Sequence, residues 1–132
     1  MALQYILQRV TMAKDNKAFE LFQREFKRYQ EHFGLMGYEV RFEHIKLDDA
    51  AASININQEE MVAYAAFNNK LRKPERSVAE IKWNAKHEAL HLLTGRMRKY
   101  AYARHIMSDD IYEANEELVR RLSNLIPDLP DE

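Results

Sequence analysis

The chain has 132 residues, 46% of them hydrophobic and 31% charged, which suits one domain over residues 1–132 with a real core. Lys and Arg number 20 against 21 Asp and Glu, so the formal net charge of -1 argues against a nucleic-acid or polyanion binder driven by bulk charge. Three Gly and three Pro disfavour a many-turned all-β barrel, and the absence of Cys excludes disulfides, thiolate zinc sites, iron–sulfur clusters and cysteine nucleophiles. Any metal site must use His and carboxylates.

In chain order, Met1 to Met12 carry Gln4, Gln8 and Arg9 among apolar positions, which fits no signal peptide and leaves strand, helix or arm open. No stretch approaches the roughly 18 apolar residues of a membrane span, so a soluble cytoplasmic protein without membrane contact is expected. From Asp15 to Phe33, Phe19, Phe22, Phe26, Tyr29 and Phe33 recur at three- and four-residue steps opposite a charged side. This predicts an amphipathic helix with a core-facing aromatic stripe, Asp15 as N-cap, and Gly34 and Gly37 at its end. The alternation of Tyr38, Val40 and Phe42, then Ile54 and Ile56, then the run Met61 to Phe67 predicts three short strands. The gaps between them are too short for crossover helices, so a mainly antiparallel sheet is expected. Lys70 to Arg76 reads as polar loop.

Ser77 and Glu80 have the form of a capping box, predicting a helix from Val78 to about Leu93 with Gly95 as its stop. Residues 96–107 form a join, and Ser108 with Asp109 and Asp110 opens a last helix that runs to Pro127. The fold class expected is therefore α+β: an N-terminal helix, a small three-stranded sheet and two further helices.

Within the second long helix the chain reads His87-Glu88-Ala89-Leu90-His91, an H-E-x-x-H pattern. Residues four apart lie one turn apart on the same helix face, so two imidazoles can converge on one zinc ion. Glu88 can then act as general base on a metal-activated water. Five His and 14 Glu in this length predict about 0.02 such matches by chance. On a helical wheel His87 and His91 fall nearly opposite the stripe Val78, Ile81, Ala85, Ala89 and Leu92. Trp83 and Leu90 flank them, which predicts a helix apolar on two sides and an enclosed His pair.

A catalytic zinc keeps three protein ligands. The metzincin extension fails, because Thr94 and Met97 stand at its Gly and His positions. His32, His44 and His105 remain, together with Glu113, Glu116 and Glu117 on the last helix. With a core face taken as Ile111, Asn115, Leu118, Leu122 and Leu125, Glu113 points away, and Glu116 and Glu117 lie on opposite shoulders.

The strands, the HEALH helix and the Asn115-Glu116 pair resemble a minimal gluzincin, and KHEALHLL with ANEELVRRLSNLI is similar to short phage- and prophage-encoded metallopeptidases. The resemblance spans about residues 38–126, and its specific part is the His-Glu-His motif. It implies a zincin-like zinc metallopeptidase with His87, His91 and Glu116 as ligands and Glu88 as base, acting on a peptide or protein substrate; with so short a chain, a protein partner is a further expectation for substrate choice. Glu113 is the alternative ligand implied by minimal prophage-regulating peptidases, and His105 the one implied by SprT-like proteases. In the related fold a sheet edge holds the substrate as an added strand, and Met61 to Phe67 would be that edge. The competing expectation is a non-catalytic, metal-stabilised regulator that contacts a host protein or DNA.

Asp109 and Asp110 are read as helix caps rather than as hydrogen-bond partners of a ligand His. Tyr100, Tyr102, Arg104 and His105 are candidates for donating a proton or stabilising an oxyanion, with no spacing rule to select among them. Arg96, Arg98, Lys99, Tyr100, Tyr102 and Arg104 interleave bases with aromatics, as a nucleic-acid tracking surface does, and read here as a solvated face.

Overall fold

A computed structural model describes residues 2–131, with the side chains of residues 2–15 and of Pro74 left aside. The chain is α+β: α1 (Ala2–His32), β1 (Glu39–Ile45), β2 (Ala52–Asn57), β3 (Val62–Asn68), a 3-10 turn (Lys73–Arg76), α2 (Val78–Tyr102) and α3 (Ser108–Leu125). No described helix is long and apolar enough to cross a membrane.

Helix α1 carries the expected aromatic stripe. Phe22 and Phe26 are fully buried and Phe33 nearly so, each worth roughly 1.5–3 kcal/mol in burial. Phe22 stacks on Phe67 at 4.8 Å, and Phe26 meets Phe42 edge-on at 5.5 Å, so the stripe anchors α1 to the sheet. The helix does not start at Asp15, whose side chain lies outside the description; it passes through that position from Ala2. Residues 2–12 are thus helical, with Met1 undescribed. At the other end Gly34 sits at φ 72, Leu35 N–H donates to Gln30 O at 2.9 Å and Gly34 N–H to Glu31 O at 3.0 Å. These paired bonds are a Schellman ending, which needs a residue tolerant of the left-handed region.

The sheet is mixed, in the order β1-β3-β2, and this corrects the expected mainly antiparallel pairing. β2 and β3 are antiparallel, whereas β1 and β3 run parallel from Glu39 opposite Val62 to Ile45 opposite Asn68. The gap argument failed because β2 itself carries the chain back, so no crossover helix is needed. Residues 46–51 must instead pass across the end of β3, and buried Asn68 holds them there. Its Nδ2 donates to Leu47 O (2.8 Å) and Ala50 O (2.9 Å), and its Oδ1 accepts from Leu47 N (3.2 Å) and Lys70 N (2.9 Å). All four hydrogen-bonding sites of the amide are used, which satisfies a polar group that would be costly to bury alone.

One face of the sheet, built from Val40, Phe42, Ile54, Ile56, Ala63, Ala65 and Phe67, meets α1 and α2. Alanines at 63 and 65 let the helices approach closely. The other face presents Arg41, Glu43, Ser53, Asn55 and Tyr64 to solvent. β3 is the central strand and β2 an edge, so the edge expected at Met61 to Phe67 lies instead at Ala52–Asn57.

Helix α2 starts as expected, with Ser77 Oγ accepting from Glu80 N at 3.2 Å. It does not stop at Gly95, which is buried mid-helix; two further turns absorb residues 96–102 of the expected join. Gly95 serves close approach: a Cβ there would lie 2.5 Å from Gln58 Nε2 and 3.0 Å from Ile56 Cδ1. Helix α3 opens at Met107, whose N–H donates to Asp110 Oδ2 at 3.1 Å, so Asp110 caps it. Its inward face differs from the expected one. Ala114 is buried and Leu118 and Leu125 pack on the core, whereas Ile111 and Leu122 are exposed. Arg121 donates to Gly34 O (2.9 Å) and Phe33 O (3.4 Å), and Glu117 pairs with Arg96 (2.9 Å) and Arg121 (3.3 Å). Those polar contacts to the open end of α1 set the rotation of α3, which hydrophobic counting alone misplaces.

Candidate metal-binding site

The two motif histidines come together as the spacing requires. His87 Nε2 and His91 Nε2 lie 3.2 Å apart, with the rings 4.7 Å apart and at 86°. Ligands ~2.0–2.1 Å from a tetrahedral zinc stand about 3.3 Å from each other, so the pair fits two corners of such a shell. The same separation also allows one ring N–H to donate to the other ring when no ion is bound. Trp83 stacks on His87 at 4.8 Å and fixes that ring from the N-terminal side.

The pair is more open than the sequence suggested. His87 is half-buried and His91 exposed, and Trp83 and Leu90 lie at the surface rather than under a further layer. Helix α2 is therefore apolar mainly on its sheet-facing side. Partial desolvation, then the nearby His87 ring and the Arg98 charge, hold the His91 imidazole below its ordinary range, which favours the neutral form that can ligate.

Glu88, next to His87 on the same helix, is only 6% exposed. Burial pushes its carboxyl above the usual carboxylate range, with the neighbouring His87 pulling partly the other way. Among the described residues no group donates a hydrogen bond to it. A buried carboxyl without a structural partner is the kind of group that functional sites retain.

Beside His91 runs a groove of about 220 Å³ between α2 and β2, lined by Ile54, Asn55, Ile56 and Gln58 on one wall and by Gly95, Arg98, Lys99 and Tyr102 on the other. β2 pairs only with β3 among the described strands, so its outer backbone edge borders this groove. The floor is held by Gln58, which lies over Gly95 while its Oε1 accepts from Tyr38 OH at 2.6 Å. Sequence reasoning passed over Gly95, Gln58, Arg98 and Lys99 as site residues. The available signal was helical spacing, since 91, 95, 98 and 102 form one face once the helix is carried past Gly95.

The candidate third ligands do not join the pair. Among the described residues no group of three His, Asp or Glu side chains is placed to hold a metal ion. α3 packs against Leu92, Leu93, Arg96 and Met97, roughly 170° around α2 from His87 and His91 at about 100° per residue. Glu116 therefore lies across α2 from the motif. Glu117 is engaged with Arg96 and Arg121, Glu113 borders the same basic cluster on α3, and His105 lies exposed in the turn after α2. His32 packs beside Phe33 at the end of α1, and His44 stacks on Phe19 at 4.5 Å inside the sheet.

Compared with known proteins, the chain matches no protein-family model, no curated protein and no solved structure.

Proposed function

We propose that this α+β chain is a zinc-dependent metallopeptidase in which His87 and His91 hold the metal and Glu88 is the general base. The observation that carries this reading is the pair of Nε2 atoms 3.2 Å apart on one turn of α2, next to the largely buried Glu88, to whose carboxyl no described residue donates a hydrogen bond. Zinc, when bound, supplies Lewis acidity toward a peptide carbonyl and an attacking water. The chain's own residues do the rest. Glu88, raised by burial, is poised to accept a proton from water and pass it to the leaving amine. The free edge of β2 offers backbone donors and acceptors that would align an extended peptide beside His91. The resemblance to gluzincins offers Glu116 as a further ligand; with α3 seated across α2, the reading stands on the His pair and Glu88 alone.

The deciding experiment compares wild type with Glu88→Gln, measuring bound zinc by elemental analysis and hydrolysis of fluorogenic casein. The expected outcome is equal zinc and equal thermal stability, with hydrolysis reduced at least about a hundredfold in the variant. Hydrolysis that survives this substitution refutes the catalytic reading. One observation favours a second reading: no third His, Asp or Glu completes the shell among the described residues. That is what a non-catalytic protein using metal to stabilise α2 would show, and it predicts zinc-dependent melting in both forms with hydrolysis in neither.

A further inference from the structure

The groove beside His91 is charged in a way that the chain does not neutralise. Arg98 and Lys99 stand on its α2 wall, both about two turns beyond the motif, while the facing wall contributes Ile54, Asn55, Ile56 and Gln58 and no carboxylate. Lys99 reaches Glu59 at 3.5 Å, a loose surface pair with an 86% exposed carboxylate partner. Arg98 has no carboxylate partner among the described residues; its guanidinium lies 5.9 Å from the Tyr102 ring. By contrast, Arg96 pairs with Glu117, and Arg121 with Glu117 and the Gly34 carbonyl beyond the end of α1. Arg98 and Lys99 thus place positive charge, with no carboxylate in the groove lining, where β2 presents its open edge.

We infer that the groove selects extended peptides carrying an acidic side chain, seated against Arg98 and Lys99 on the flank of His91 toward the C-terminal end of α2. α2 and β2 run in the same direction here, because Gly95 meets Ile56 and Gln58 while Lys99 reaches Glu59. A strand added to β2 therefore meets His91 and the two cations at positions about three to four residues apart, at ~3.3 Å per residue against 1.5 Å per helical residue. Its backbone is held by the edge and its acidic side chain by Arg98, whose planar fork matches a carboxylate. The Arg98 guanidinium also lies over the Tyr102 ring, 5.9 Å from its centroid, a cation–π contact at the rim of the groove. A nucleic-acid strand would also seek these cations, but a groove walled by a strand edge and aliphatic side chains offers backbone pairing, which a peptide can use.

This substrate class rests on the metallopeptidase reading, so its test uses binding rather than turnover. Two fluorescein-labelled ten-residue peptides, identical except for a central Asp-Asp or Asn-Asn, are titrated by fluorescence anisotropy into zinc-loaded Glu88→Gln protein. The acidic peptide is expected to bind about fivefold tighter at low ionic strength, with the preference shrinking in added salt. Arg98→Gln should abolish that preference by weakening binding of the acidic peptide, and Arg98→Glu should invert it. Equal binding of the two peptides, or a preference that survives Arg98→Gln, overturns the inference. So does displacement of the acidic peptide by a 20-nucleotide single strand at a tenth of the concentration needed by unlabelled acidic peptide. If the preference is found but wild type hydrolyses neither peptide nor casein, the catalytic reading fails and the groove assignment stands; hydrolysis of both peptides without any preference has the opposite meaning.

Discussion

Gly95 shows how a single residue changes meaning between sequence and structure. As a punctuation mark after HEALHLLT it suggests a helix stop, but it is the point where Gln58 lies against α2. Alanine there gains about 1 kcal/mol of helix propensity, yet its Cβ would meet Gln58 Nε2 at 2.5 Å. The amide cannot simply swing aside, because Tyr38 OH holds its other end at 2.6 Å. Gly95→Ala is therefore expected to destabilise the protein by about 1–2 kcal/mol in urea unfolding, and Gln58→Ala should relieve most of that cost in the double variant. Additive losses in that cycle would show that the contact is not the cause. Glu88 is the contrasting case: its motif position singles it out in the sequence, and in the structure it is only 6% exposed.

Helix α3 is where sequence reasoning went furthest astray. Its periodic apolar residues suggested an inward face through Ile111 and Leu122, but the observed face uses Ala114, Leu118 and Leu125 with Glu117 and Arg121. A hydrophobic stripe states that a helix must bury something; it does not weigh an Arg that can satisfy the orphan carbonyls of another helix. This rotation and docking leave Glu116 across α2 from the His pair. Accordingly, Glu116→Ala should retain zinc affinity within about twofold of wild type by competition with a chromogenic chelator, whereas His87→Ala or His91→Ala should lose it. A tenfold or greater loss in Glu116→Ala would mean that α3 reorganises around the metal. The sheet teaches a related lesson: the strands were visible from alternation, but the parallel pairing of β1 with β3 depends on a six-residue passage pinned by Asn68, which no periodicity reports.

At the scale of the molecule, Tyr38 links the pieces, since it touches Gln58 of the groove floor and lies in the field of Glu117, Arg121 and Arg96. Burial, reinforced by Glu117, raises its phenol above the ordinary value of 10.0, and the Arg121 and Arg96 charges offset part of that. A phenol whose folded pKa is raised adds stability that is complete below pH ~10 and is lost as pH rises through the folded value. Stability should thus fall in that alkaline window, and Tyr38→Phe should flatten this part of the fall while costing about 1 kcal/mol at neutral pH for the lost hydrogen bond. A Tyr38→Phe protein with the wild-type alkaline profile would assign the loss to other groups. What the sequence determined by itself was local: the aromatic face of α1, the three strands, the cap at Ser77, and the one-turn spacing of His87 and His91, because periodicity and hydrogen-bonding capacity act over a few residues. What only the tertiary structure decided was the neighbours: a mixed sheet, a central β3, a glycine that admits Gln58, a cationic groove along β2, and an α3 that keeps its carboxylates from the histidines. Those depend on which surfaces meet, and that is settled by packing and by polar partners distant in the chain.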